Sequence, residues 1–488
     1  MTHDLPTKPS RRALIASVLL GSLLLSACQS SQISSDIQLQ FDELQAQSQG
    51  AFIPSSWLGQ FNDPQLSALV RTALTDNFSL KEARARISAA REQATIAGAP
   101  LWPTLDLNTS GQRTKSVNGP SANTTNTYND SRSVDISLAW ELDLWGKLSD
   151  SSQAAEYRFQ AQQAQFGAAR LALTGEVSGA WFLLLANQHL SEVFDERVDN
   201  LQANLDIINN NYRQGINSAL DVYLASSDLA SEQSNRSAQK NATQAAVRSL
   251  QLLLGHYPSG RLNDLLEKEQ PLPPLPRLEQ ILPTGISAQV VSQRFDVQAS
   301  FLELQAGDRD LAAAHKARFP SFTLTGRVGD SSEELKDLLD QGNLAWNLLG
   351  NLTQPLFAGG RLKASEAKTR AELRQKEQQY LGALYTAFDE VENGLAKETA
   401  LREQYQHLTS ARAHAQAAEQ IAFEQYRQGL QDYTSVLEAQ RRAFSAQNNL
   451  INIQNDLLQN RVSLYLALGG EAQTPAAEGS APSVKTAE

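Results

Sequence analysis

Between Val134 and Leu144 every second residue is apolar. Val134, Ile136, Leu138, Trp140, Leu142 and Leu144 alternate with Asp135, Ser137, Ala139, Glu141 and Asp143. Strict alternation over this length predicts a β-strand with one apolar and one polar face. Phe322, Leu324, Gly326 and Val328 against Thr323, Thr325 and Arg327 predict a second such strand. Leu344, Trp346 and Leu348, opposite Asn347 and Asn351, predict another, and a further strand follows Pro103. The polar stretches Gly111–Arg132 and Gly329–Gly342 read as loops, the first on its Gly, Asn, Ser, Thr and Pro content. Elsewhere the period lengthens. Leu66, Leu69, Ala73, Leu80, Ala83 and Ile87 predict one helix over Pro64–Gly98, with Asp63 as N-cap and Pro64 at the first helical position. From Leu148 to about Asn211 no Pro interrupts the pattern, and Gly occurs only at Gly167, Gly175 and Gly179. Those ~64 residues reach ~96 Å as a helix. A matching run spans Arg361 to about Gln425, and returns span Ala219–Leu254 and Tyr433–Leu468. Rich in Ala, Gln, Ser and Leu, they suit coiled-coil-like packing, and length alone leaves a plain rod open.

The pattern is written twice. Asn211-Tyr212-Arg213-Gln214-Gly215 returns 214 residues later as Gln425-Tyr426-Arg427-Gln428-Gly429, and Leu253-Leu254-Gly255 returns at the same spacing as Ala467-Leu468-Gly469. Leu144-Trp145-Gly146-Lys147-Leu148 resembles Leu356-Phe357-Ala358-Gly359-Gly360-Arg361-Leu362, and Leu101-Trp102-Pro103 resembles Arg318-Phe319-Pro320. Ordered matches at nearly one spacing imply a tandem duplication. The expected organisation is a first repeat over 63–255, a Pro-rich linker over 256–284, a second repeat over 285–470 and a loose tail over 471–488. In each repeat Gly146, or Gly359 with Gly360, marks a strand-to-helix bend.

The N-terminus adds a location. Arg11 and Arg12 precede an apolar run from Ala13 to Leu25, too short for a spanning helix but suited to a signal peptide over 1–27. It ends Leu25-Ser26-Ala27-Cys28, which resembles the bacterial lipobox, and Cys28 is the only cysteine in the chain. Lipidation of Cys28 would anchor a tether over 28–62 to a bilayer, and Gln29 favours the outer membrane. A strand of eleven residues tilted by ~45° stands ~25 Å tall, the apolar height of an outer-membrane barrel. An ordinary half-buried antiparallel sheet has the same alternation; the signal peptide and lipobox favour the barrel. Four strands cannot close one, and an open edge in lipid leaves backbone groups unsatisfied, so the chain must close its barrel with further copies of itself, two or three in all. Trp140, Trp145 and Trp346 fit aromatic girdles at the bilayer interface.

Composition narrows the rest. The 488 residues carry a net charge of −11, which argues against nucleic acid. A mean hydropathy of −0.37 excludes a bundle of membrane-spanning helices. One Cys and six scattered His exclude an internal disulfide and argue against a zinc or iron site. His407 and His414 share a helix face but stand ~10 Å apart, too far for one metal unaided. Gly359-Gly360 is not followed by the Gly-Lys-[Ser/Thr] of a phosphate loop. No HExxH, no GxSxG and no nucleophile beside a base is present, so neither an enzyme nor a cofactor is expected.

Together Trp57, Phe61-Asn62-Asp63-Pro64, Asn77, Trp140-Glu141-Leu142-Asp143-Leu144-Trp145-Gly146-Lys147, Arg294-Phe295-Asp296-Val297, Pro355-Leu356-Phe357-Ala358-Gly359-Gly360-Arg361-Leu362 and Tyr426-Arg427-Gln428-Gly429 resemble the TolC-like outer-membrane efflux protein family, in its lipid-anchored NodT-type branch. The resemblance covers about residues 55 to 470; Phe295 departs from it, where the family usually has Pro. It implies a mixed α and membrane β fold: a homotrimer whose twelve-stranded barrel continues as an α-helical tunnel across the periplasm. It implies the exit duct of a tripartite efflux pump, docked on a periplasmic adaptor and an inner-membrane transporter. A one-step protein-secretion channel is the rival within transport; a coiled-coil lipoprotein spacer would leave the strands unexplained. On the family pattern the periplasmic gate falls on Tyr426 at the hinge, with Thr434, Ser435, Glu438 and Arg441 beyond it. Thr434, Glu438 and Arg441 share one helix face, and three-fold symmetry would make Glu438 a carboxylate ring favouring cations. Read alone, Glu438 and Arg441 are an exposed i, i+3 pair worth ~0.3–0.5 kcal/mol.

Overall fold

A computed structural model describes residues 57–118, 125–265, 271–278, 291–338 and 344–470. The signal peptide, Cys28 and the tail over 471–488 lie outside the described residues, as do most of the tether and much of the linker. The element order repeats. Helices α1 (Pro64–Asp76) and α2 (Phe78–Gly98) precede strands β1 (Thr104–Asn118) and β2 (Thr125–Leu142), then helices α3 (Lys147–Arg213) and α4 (Ala219–Leu253). The second half runs α5 (Phe295–Lys316), β3 (Ser321–Ser332), β4 (Ala345–Thr353), α6 (Arg361–Arg427) and α7 (Tyr433–Ala467). At 67 residues each, α3 and α6 reach about 100 Å.

Contacts group the described residues into two compact units, each drawing on both repeats. One combines Ile87–Gln163 with Ala299–Leu381; the other combines residues 57–86, 164–265, 271–278, 291–298 and 382–470. The first holds one antiparallel sheet of order β1-β2-β3-β4. The second holds an apolar core in which Trp57, Phe61, Leu66, Ala73, Trp181, Phe182, Leu250 and Tyr465 pack together. Trp57 and Phe61, near the end of the stretch read as tether, are thus buried, and the described linker residues Leu272, Leu275 and Leu278 pack on the same core. By length and composition α3 could cross a membrane, but its Trp181, Phe182, Leu184 and Leu185 belong to this core.

Three expectations need correction. The single helix over Pro64–Gly98 is two, because Asn77 interrupts it. Its Oδ1 accepts from the Leu80 amide at 3.0 Å and caps α2, while its Nδ2 donates to the Leu253 carbonyl at 2.8 Å. The polar stretch Gly111–Arg132 is mostly strand, and β2 ends at Leu142 rather than Leu144. Its register is continuous from Thr104↔Ala139 to Asn118↔Thr125. Polar residues fill both faces there, so no alternation marks the strands; the ladder and pairs such as Ser110–Ser133 (Oγ to Oγ, 2.7 Å) hold them. Likewise β3 runs on to Ser332, and Leu335–Asp337 forms a short 3-10 turn inside the second supposed loop.

The three glycines of α3 are contact points. A Cβ at Gly175 would lie 2.4 Å from Leu466 Cδ1 of α7, and one at Gly167 would lie 2.7 Å from the Phe295 ring. Phe295, the departure from the family pattern, is therefore seated on a bare stretch of α3. Beside it Arg294 donates to Asp296, to Glu390 and to the Ala467 carbonyl at the end of α7.

Candidate functional site

The sheet register sorts the strand residues onto two faces. On one, Leu105 and Leu107 of β1 lie beside Leu138 and Ile136 of β2. These continue to Gly326 and Val328 of β3 and to Leu348 and Trp346 of β4. Trp140 with Leu324, and Leu142 with Phe322 and Leu352, extend the same stripe. The stripe is uncovered: Leu105 is 68% exposed, Leu107 70% and Trp346 77%. A continuous apolar face of this size, left bare, fits a non-aqueous neighbour. Trp346 lies toward the hairpin end of the stripe and Trp140 toward the helix end, where its Nε1 donates to the Leu101 carbonyl at 3.0 Å. Trp145 stands in the turn after β2. Its Nε1 donates to the Pro320 carbonyl at 2.6 Å, and its ring meets Phe319 edge-on.

The opposite face is polar apart from Leu349 and a few small residues. Its centre is a cluster the sequence did not single out. Arg327 Nη2 reaches Asp135 Oδ1 at 2.6 Å, while Asn108 Nδ2 donates to Asp135 Oδ2 at 3.2 Å and to Ser137 Oγ at 2.9 Å. Three strands are thereby tied across this face. Asp135 pairs with Gly329, where a Cβ would fall 2.4 Å from that of Asp135, so only glycine leaves the carboxylate its place. The signal for this cluster was register, which the sequence does not state.

At the strand-to-helix bends Gly146, Gly359 and Gly360 hold φ of 76°, 57° and 81°, the left-handed region that glycine tolerates. Asp143 fastens the first bend: its carboxylate accepts from the Leu148 amide at 2.9 Å and the Ser149 amide at 2.8 Å. Burial alone would push the Asp143 carboxyl up; the hydrogen bonds from Ser149 and Leu148 and the charge of Lys316 hold it below the usual range.

At the far end of the long helices both repeats turn in the same way. Gly215 N–H donates to the Tyr212 carbonyl and Ile216 N–H to that of Asn211; Gly429 and Leu430 repeat this with Tyr426 and Gln425, each bond 2.9 Å. This is the Schellman closure of a helix, used twice. Tyr426 joins the two turns: Asn217 Nδ2 donates to its Oη at 2.8 Å, and its ring lies 5.5 Å from that of Tyr433. Tyr433 is buried, which pushes its hydroxyl up to about 12. Thr434, Ser435 and Glu438 line an open groove of about 400 Å³ with Ala415, Ala418, Ala439 and Arg442. Glu438 accepts from Arg442 at 2.8 Å and from Arg441 at 2.9 Å, and Ser435 Oγ donates to Gln431 at 3.2 Å. Arg442 first, and then Arg441, hold the Glu438 carboxyl below its ordinary range. Sequence reading missed Arg442, although its i+4 spacing from Glu438 is as good a signal as the i+3 spacing of Arg441.

A buried charge layer lies among the same helices. Arg197 of α3 is 7% exposed, its Nε has no hydrogen-bond partner, and its Cζ stands 5.8 Å from the Phe444 ring centre. Glu232 and Asp228 of α4 and Glu419 of α6 supply the opposing charge. Burial lowers the Arg197 guanidinium and raises the Glu232 and Glu419 carboxyls, with Arg197 opposing the rise of both.

The family model described as outer membrane efflux protein matches this chain twice, over residues 69–256 and 286–470. The solvent efflux pump outer membrane protein SrpC of Pseudomonas putida is 30% identical over 411 residues, covering 84% of this chain and 86% of that protein. Outer membrane protein OprJ of Pseudomonas aeruginosa is 29% identical over 462 residues, covering 93% and 95%. Among solved structures, the CmeC outer membrane channel of Campylobacter jejuni superposes with a TM-score of 0.81 at 27% identity, covering 86% of this chain and 89% of that one. The chain belongs to the outer membrane efflux protein family, whose members are channels of the Gram-negative outer membrane.

Proposed function

We infer that this chain is the outer-membrane exit duct of a tripartite efflux pump, passing small molecules from an inner-membrane transporter and periplasmic adaptor to the outside. The observation that carries the reading is the uncovered apolar stripe on a sheet whose outer edges, along β1 and β4, meet no further strand among the described residues. Lipid satisfies the stripe, and only further copies of the sheet satisfy the edges. Three copies make a barrel of twelve strands, with the Arg327–Asp135 face toward the lumen. Cys28 adds a lipid anchor, and the segments over 63–255 and 285–470 act as paired repeats around the pore.

The gate lies at the helix turns. Tyr426, Thr434, Ser435, Glu438 and Arg441 form it, with Arg442 as the second partner of Glu438. In a trimer the Glu438 carboxylates form a ring, ionised at neutral pH because both arginines favour the charged form. Gly146, Gly359 and Gly360 redirect the wall from strand to helix, and Trp140, Trp145 and Trp346 mark the bilayer interfaces. No chemistry is asked of the chain, whose family is one of channels rather than enzymes.

Purified protein in planar bilayers tests this. Stepwise conductance from a trimer is expected, and Glu438→Ala with Arg441→Ala and Arg442→Ala should raise it and weaken cation preference. No conductance at all would remove the duct; unchanged conductance and selectivity in the triple variant would remove the gate.

A further inference from the structure

The β1–β2 hairpin does not stop where its apolar stripe stops. The last apolar member is Val134, beside Thr109, and the same register runs on for four more rows. On the face that carries the stripe the first three of these rows hold Arg132 beside Gly111, Asp130 beside Arg113, and Tyr128 beside Lys115. On the other face the pairs are Ser131 with Gln112, Asn129 with Thr114 and Thr127 with Ser116, with no charge among them. A hairpin that needed charge only for solubility would carry it on both faces. Here three cations and one carboxylate are all on the face that continues the lipid-facing stripe.

The charges are grouped. Arg113 stands 5.2 Å and Lys115 5.9 Å from the Tyr128 ring centre, and Arg113 Nε lies 3.4 Å from Asp130. Arg132 donates one N–H to the Glu333 carbonyl, which leaves most of its five-donor fork for other acceptors. Between Arg132 and Arg113 the sheet carries Gly111, where an added Cβ would meet nothing within 4 Å. The result is an open notch on the outward face, flanked by two guanidinium groups, with Asp330 buried in the row below. At ~3.3 Å per residue and ~45° tilt, Arg132 stands ~5 Å and Tyr128 ~14 Å beyond the end of the stripe. That is the depth of headgroups, and guanidinium forks match phosphate oxygens.

We propose that this face binds the phosphorylated glycolipid of the outer leaflet, with Arg132 and Arg113 on its phosphates at the Gly111 notch and Tyr128 against its sugars. The proposal rests on the duct reading only for which face meets lipid and which end points outward. Asp130 and the buried Asp330 offset part of the charge of the three cations, and the lipid would take up the remainder and so fix how deep the barrel sits.

The test uses the full-length trimer in detergent and rough lipopolysaccharide as probe. Wild type should bind it at least about tenfold more tightly than the Arg113→Gln, Lys115→Gln, Arg132→Gln triple variant. Lipopolysaccharide stripped of its phosphates should bind wild type as weakly as intact lipopolysaccharide binds the variant, an arm that needs no mutant protein. Equal binding by wild type and variant, equal binding of the stripped glycolipid, or equal competition by phosphatidylglycerol would each overturn the proposal. Conductance of the variant should match wild type; absence of conductance from wild type would tell against the duct and leave this surface to be judged on binding alone.

Discussion

Asp63 shows how much a single carboxylate can organise. One oxygen accepts from the Gln65 and Leu66 amides at 2.9 and 3.0 Å and starts α1; the other accepts from Trp181 Nε1 at 2.7 Å. Trp181 is fully buried, so without Asp63 its N–H has lost its acceptor inside the core. Asp63→Ala should therefore cost about 2–4 kcal/mol, the sum of a lost cap and an unsatisfied indole. Asp63→Asn keeps the cap but turns an amide donor toward the indole donor, and should cost about 1–3 kcal/mol. Thermal unfolding of the purified protein checks both. Equal, small effects of the two would mean that Trp181 finds another acceptor.

Among the elements, the Arg197 layer gives the clearest pH signature. Glu232 and Glu419 are raised above the ordinary 4.5 by burial. A carboxyl raised in the native state stabilises the fold below its unfolded value and withdraws that stabilisation as pH rises through its native value. Arg197 moderates the rise of both. Arg197→Met should move them further up, so the variant should lose stability against wild type as pH climbs from about 5 to about 8. The difference in melting temperature, measured across that range, should widen steadily. A constant difference would show that Arg197 packs there without electrostatic consequence. This layer was not legible in the sequence, because Arg197, Glu232 and Glu419 come from three helices that only packing brings together. Legibility followed periodicity elsewhere too. Val134–Leu142 announced itself because water and a non-aqueous neighbour lie on its two faces, and the hairpin beyond it was silent because both of its faces are polar. Helix α1 ends at Asp76 for a reason that sequence does show, since Asn77 is a capping residue, but an unbroken apolar spacing from Leu66 to Ile87 masked it. At the turns, Gly215 and Gly429 were readable as a repeated motif; the bond that joins the turns, Asn217 to Tyr426, was not, because its partners are 209 residues apart.

For the whole molecule, the two faces of the sheet should tolerate charge differently. Leu107→Arg places a cation on the apolar stripe and should cost about 2–4 kcal/mol per chain near the middle of the bilayer, less toward its edge. Trimer recovered from membranes should fall sharply. Thr325→Arg, on the opposite face, should leave the yield intact and shift ion selectivity toward anions in bilayer recordings. Equal loss in both variants would remove the distinction between the two faces, and loss in Thr325→Arg alone would reverse the assignment of inside and outside.

The glycines of α3 carry a consequence for ancestry. Gly167, Gly175 and Gly179 of the first repeat receive Phe295, Leu466 and Gln459 of the second. The places 214 residues on, Leu381, Asp389 and Asn393, are not glycine. A ring of six identical half-chains would need each long helix to be bare and clothed at the same positions. The two halves have become lock and key to one another, and neither can any longer stand in for its twin.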